Sequence, residues 1–93
     1  MSYAVYWQEG QLGPRYAGRL ELGQSTVELS GSAPAGRFVD SISFQDIMSV
    51  RFSARILRVC CRDGTVLDVG SVDGPGSMRE LVDSLALALR ELA

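Results

Sequence analysis

Three arginines, Arg51, Arg58 and Arg62, are spaced so that strand alternation gathers them onto one surface. Pairing Arg51 opposite Arg58 across a hairpin puts all three on an outward face, with Ile56 and Cys60 among them. A guanidinium offers a planar fork of donors that fits a carboxylate or a phosphate. Arginine mixed with apolar side chains is also a common interface composition. Two readings follow. One is a patch for an acidic partner. The other is ordinary salt-bridged surface, in which Asp68 lies across from Cys60, within diagonal reach of Arg58 and Arg62.

Other chemistries lack their parts. Nucleophilic catalysis by Ser or Cys usually needs a base, most often His. This chain has no His, and all nine of its basic residues are Arg, so the usual substitute, Lys, is missing too. The two cysteines, Cys60 and Cys61, are neighbours whose side chains point to opposite faces of a strand, so a disulfide between them would distort the ladder. Two Cys without His make no ordinary zinc site. One core thiol and one surface thiol is the expectation. The carboxylates are scattered over turns and polar strand positions, as solvated surface charge. Gly74-Pro75-Gly76 precedes a helix N-terminus, where an anion could bind. Ser77 and Glu80 compete for those amides, and Glu80 would repel a phosphate. The expectation is a protein that is not an enzyme and uses neither cofactor nor metal.

At 93 residues the chain has room for one domain, 1–93, and can bury a core without staples. A net charge of −2 gives the whole molecule no attraction to nucleic acid or to an anionic membrane. No apolar run approaches the roughly 20 residues that span a bilayer. Met1-Ser2-Tyr3-Ala4 lacks the basic and apolar regions of a secretory signal, so a cytoplasmic location is expected. The use of Arg without Lys is read as genomic base composition rather than function.

The elements that must position these residues are short strands within 3–70, then one helix over about 77–92. Tyr3 to Gln8 alternates, with Tyr3, Val5 and Trp7 on one face. Glu9 to Pro14 is a turn region. Arg15 to Leu22 alternates again, and its inward Gly18 predicts sharp curvature or a close aromatic neighbour. Thr26 to Ser30 is a third strand. Gly31 to Arg37 is flexible by composition. Phe38 to Phe44 is a fourth strand, with Ile42 and Phe44 as its core pair. Gln45-Asp46 interrupts before Ile47 to Ser53, Ile56 to Arg62 and Thr65 to Gly70.

With Arg51 opposite Arg58, Val50 meets Val59, Phe52 meets Leu57 and Met48 meets Cys61. A three-residue loop, Asp63-Gly64-Thr65, then sets Leu67 beside Cys61 and Val69 beside Val59. Every large side chain except Ile56 and Val66 falls inward, which supports the register because a one-residue slip would reverse it. Ser77-Met78-Arg79-Glu80 fits a capping box. Met78, Leu81, Val82, Leu85, Leu89 and Leu92 form one helical stripe, with Leu87 nearly opposite.

Seven strands followed by one amphipathic helix resemble the pleckstrin-homology-like superfold. Ile42 to Val50 looks like the fourth-to-fifth strand transition of its bacterial and GRAM-type members. Leu57 to Val69 looks like the sixth and seventh strands, and Leu81 to Leu92 like the capping helix. The resemblance implies a mainly β fold, a seven-stranded antiparallel bent barrel capped by a C-terminal α-helix. It also implies binding rather than catalysis, since many such domains bind peptides or proteins and a minority bind phosphoinositides. The lipid-binding members cluster Lys and Arg around the first inter-strand loop. Here Glu9 to Arg19 offers only Arg15 and Arg19, beside Glu9.

The expected function is a non-catalytic module recognising a protein or peptide through sheet edges and the face of Arg51, Arg58, Arg62 and Ile56. Self-association as a homodimer is included, with Leu87 beside Leu12 or Ile56 as the oligomer surface. The alternative is an anionic lipid- or phosphoinositide-binding domain at a membrane surface, against which the charge argues. No nucleic acid partner is expected.

Overall fold

A computed structural model describes residues 2–10, 12–34 and 36–92. Gln11 and Ala35, in two of the expected loops, and the side chain of Leu92, in the expected helical stripe, lie outside the described residues. The strands are β1 (Ser2–Glu9), β2 (Arg15–Leu22), β3 (Thr26–Ala33), β4 (Gly36–Ser43), β5 (Ile47–Ser53), β6 (Ile56–Cys61) and β7 (Val66–Ser71). A single 3-10 turn, Phe44–Asp46, joins β4 to β5, and one helix, α1 (Pro75–Leu92), follows β7. No described helix is long and apolar enough to cross a membrane.

The strands form one antiparallel sheet in the order β4-β3-β2-β1-β7-β6-β5. Two meanders, β1 to β4 and β5 to β7, are joined where β1 pairs with β7. Strands β4 and β5 end the order, so the sheet is open, with two free edges. Its inner side chains and the apolar stripe of α1 make one core. Met78, Leu81 and Leu85 are buried in it, and α1 packs against β7 and the 3-10 turn.

Two glycines meet on neighbouring strands. Gly18 on β2 faces Gly31 on β3. A Cβ on Gly18 would strike the Ser30 carbonyl, and one on Gly31 would strike the Ala17 carbonyl and stand 2.7 Å from the Trp7 ring. The backbones therefore approach as only glycine allows, and the indole lies against Gly31. Tyr16 stacks on Trp7 at 5.7 Å, and Phe38 sits 4.6 Å from Tyr16 and 5.8 Å from Trp7. The close aromatic neighbour expected at Gly18 belongs instead to Gly31, its cross-strand partner. Part of the stretch that reads as flexible is strand, in β3 and β4. The β3–β4 ladder runs on to Ala33 opposite Gly36.

Four further expectations change. First, Ile47, not Met48, faces Cys61, because a bulge between Ile47 and Ser49 leaves Met48 exposed. A bulge adds one residue to one strand, which a strict two-residue alternation cannot foresee. Second, β6 and β7 pair two residues away from the expected register: Leu57 meets Val69 and Val59 meets Leu67. The turn residues are Arg62-Asp63-Gly64, closed by Cys61 N–H to the Thr65 carbonyl at 2.8 Å, with Gly64 at φ 95°. A two-residue slip keeps every side chain on its face, so face patterning could not detect it. Third, Asp68 consequently stands opposite Arg58 rather than Cys60. Fourth, α1 begins at Pro75, so Ser77 and Glu80 lie inside the helix and form no capping box. Proline at the first helical position gives up an N–H that has no helical partner anyway.

The β5–β6 hairpin turns on Ala54 and Arg55, both at positive φ, 52° and 66°. Ser53 pairs with Ile56 around this two-residue loop. The geometry favours Asn-Gly, and each non-glycine residue held there costs on the order of 1 kcal/mol.

Two stability predictions follow from this geometry. Gly31→Ala should lower unfolding stability by about 1–3 kcal/mol in chemical denaturation. A loss under about 0.5 kcal/mol would show that the close approach at Gly31 does not require glycine. Ala54→Asn with Arg55→Gly should raise stability by roughly 1 kcal/mol, and a fall would mean the turn is unstrained.

Candidate functional site

The outer face of β1, β7, β6 and β5 holds the first candidate surface. Arg51 and Arg58 are direct neighbours across the β5–β6 ladder. Arg58 is committed: its Nε donates to Asp68 Oδ1 at 2.9 Å and its second nitrogen to Oδ2 at 3.2 Å. The hydrogen bond to Asp68, then its charge, raises the Arg58 pKa further, so the guanidinium stays protonated. The pair is exposed, so water and salt screen it. Arg51 and Ile56 line a shallow depression of 350 Å³ with Ser53, Ala54, Arg58 and Asp68. Ile56 and Asp68 also border a smaller one beside Tyr6, Gln8 and Arg15.

Arg62 is elsewhere. It lies in the β6–β7 turn, its Nε donating to the Gln45 carbonyl at 2.8 Å and its backbone N–H to the Asp46 carbonyl at 2.8 Å. The three-arginine face of the sequence reading is thus two arginines with Ile56, while the third lines a different cavity. The turn begins one residue earlier than Asp63-Gly64 suggests, and this takes Arg62 off the strand.

Two contributors were missed. Tyr6 lies flat on Gly70, its cross-strand partner, where any Cβ would collide with the ring. Arg15 stands over that ring at 5.2 Å from its centroid, within cation–π range. A glycine inside β7 was the available signal, because a strand glycine often marks a site where another group approaches.

Leu87 is 57 % exposed on α1 and Leu12 fully exposed in the first loop. Helix α1 covers the inner side of the sheet, whereas Ile56 belongs to the outer side. Leu87 and Ile56 therefore do not form one patch on a single copy.

A cavity of 640 Å³ opens between β4 and the β6–β7 hairpin. Leu29, Phe38, Ile42, Cys61 and Leu67 supply its apolar wall, and Glu9, Asp40, Asp46, Asp63 and Arg62 its charged lining. Burial, followed by the charges of Asp63 and Asp46, pushes the Cys61 thiol up. A thiol so disfavoured as thiolate is a poor nucleophile. Asp63 behaves oppositely: its carboxylate accepts the Thr65 N–H at 2.9 Å, and the bonds to Thr65 hold its pKa down. Among the described residues no group of His, Cys, Asp and Glu converges as a metal site.

No protein-family model matches the chain, and no curated protein is significantly similar to it.

Cys61 supplies a pH test. Its thiol pKa is raised on folding, so its burial stabilises the fold below the ordinary thiol value of about 8.5. That contribution disappears as pH rises through the higher native value. The stability difference between the wild type and Cys61→Ala should stay constant up to about pH 8 and shrink above it. In denaturation series over pH, a constant difference into the alkaline range would refute this account.

Proposed function

We propose that this chain is a non-catalytic binding module that recognises a protein or peptide at the free β5 edge. The supporting observation is the make-up of that edge. Strand β5 is hydrogen-bonded into the sheet on one side only, which leaves the other for an added strand. It exposes Met48 and Phe52, and Arg51 and Ile56 flank it on the outer face. Asp68 engages Arg58 and not Arg51, and Arg15 lies over the Tyr6 ring, so Arg51 is the cation nearest the β5 edge for an acidic partner.

This reading keeps the resemblance to the pleckstrin-homology-like superfold of bacterial type as its scaffold. The curled sheet with α1 across its inner side is taken as a bent barrel whose ends meet without a ladder. A cytoplasmic setting goes with it. The missing base and the high thiol pKa support binding over catalysis.

Affinity capture with the wild type and with Arg51→Glu, followed by titration of the captured partner, tests the assignment. Arg51→Glu should weaken binding about tenfold or more, because it replaces a favourable charge by a like one. Arg51→Glu/Arg58→Glu should do no less. Full binding by the double variant would refute this face. Salt-sensitive co-sedimentation with anionic vesicles would transfer the module to the lipid-binding alternative. Light scattering separates a third case: a stable homodimer, dispersed by Leu87→Glu, would make self-association the function.

A further inference from the structure

The cavity between β4 and the β6–β7 hairpin goes beyond that reading, since neither Arg51 nor β5 contributes to it. We propose that it is a second binding site, for a protein segment that presents an arginine or lysine beside aliphatic side chains.

Size and wall come first. At 640 Å³ it lies within the usual range of roughly 300–1,000 Å³ for ligand sites. Leu29, Phe38 and Leu67 give it an apolar floor, which calls for hydrocarbon.

Charge comes second. Glu9, Asp40, Asp46 and Asp63 face a single cation, Arg62, which is already held by the Gln45 carbonyl. Among the described residues the one ion pair is Arg58–Asp68, so none of these carboxylates is neutralised by contact. The mouth is more negative than the chain's net charge of −2. Like charges around a low-dielectric cleft focus the field and attract a cation.

The position of Asp40 comes third. The inner face of β4 reads Phe38, Asp40, Ile42, and Asp40 stands opposite Leu29. A carboxylate therefore breaks an otherwise apolar row at the cavity. Inward charge on an edge strand also discourages edge pairing. That role alone would leave ligand binding indifferent to Asp40, and the test below separates the two.

The occupant follows from these features. No convergent ligand set for a metal exists among the described residues, so the cation is organic. Arginine and lysine join an aliphatic stem to a charged head, matching floor and rim at once. The β4 edge beside the mouth is unpaired in the sheet, and an extended segment can use its backbone, which a free amine cannot.

The probe is a labelled, end-blocked Val-Arg-Val-Arg-Val peptide, titrated by fluorescence anisotropy against the full chain. Saturable binding is expected, and Val-Glu-Val-Glu-Val should not bind. Asp40→Asn, which keeps the acceptor for the Ser41 N–H, should weaken binding about tenfold, as should Asp46→Asn. Salt at about 1 M should do the same, and Arg51→Glu should not weaken it. Thermal melts of each variant show that the fold persists. The proposal is overturned by absence of saturable binding below about 1 mM, or by equal binding of the glutamate peptide. Binding that ignores both carboxylate variants also overturns it. Displacement by equimolar n-pentylamine would assign the cavity to a free amine instead. Loss in Arg51→Glu alone would assign the peptide to the β5 edge.

Discussion

The contact of Trp7 with the backbone at Gly31 is the constraint on which the other features rest. The β2 and β3 backbones approach so closely at Gly18 and Gly31 that a Cβ on either would strike the other strand. The largest aromatic side chain in the chain then fills the space the glycines leave, with Tyr16 and Phe38 packed around it. Among the described residues the indole N–H has no acceptor, at a desolvation cost of about 1–3 kcal/mol. Burying an aromatic of this size offsets that cost. Curling the β2–β3–β4 half over the inner face brings Phe38 and Asp40 to the same cavity as Cys61 and Leu67 of the other half.

The two halves of the sheet fail to pair where they approach. A ladder between β4 and β5 would leave no opening, and the 3-10 turn at Phe44–Asp46 carries the chain from one edge strand to the other without forming one. The Phe44 ring is buried, so the turn is anchored to the core. Its Gln45 and Asp46 carbonyls accept from Arg62, which ties the turn to the β6–β7 hairpin. The opening is therefore framed by fixed elements on both sides.

What the sequence made legible follows from which quantities alternate. Face assignments were readable: Tyr3, Val5 and Trp7 are buried together, as are Leu57, Val59 and Cys61. The Arg51–Arg58 pairing was readable for the same reason. Registers differing by an even number of residues give the same faces, so the Val59–Leu67 pairing was invisible until the turn was known. Arg62 was misplaced by that ambiguity, since one residue decides between strand and turn. The cavity was illegible because its carboxylates come from β1, β4, the 3-10 turn and the β6–β7 turn, far apart in the chain. Only Asp40 carried a local signal, a charge on an apolar strand face.

Net charge hides a segregation that bears on any binding role. The two depressions of the outer face carry Arg15, Arg51 and Arg58 with one carboxylate, Asp68, answering one of them. The cavity mouth carries the reverse balance. Averaged over the molecule these cancel to −2, from which composition alone argues against any strongly charged partner. Fields fall off within about 8 Å at physiological ionic strength, so a partner responds to the nearest surface and not to the total. The same chain can therefore offer an acidic segment one edge and a basic segment another. The two free edges of the open sheet lie beside these two surfaces, β5 by the arginines and β4 by the carboxylates. Closing the sheet into a continuous ladder would remove both edges at once. The opening is thus the structural condition for the binding proposed at either.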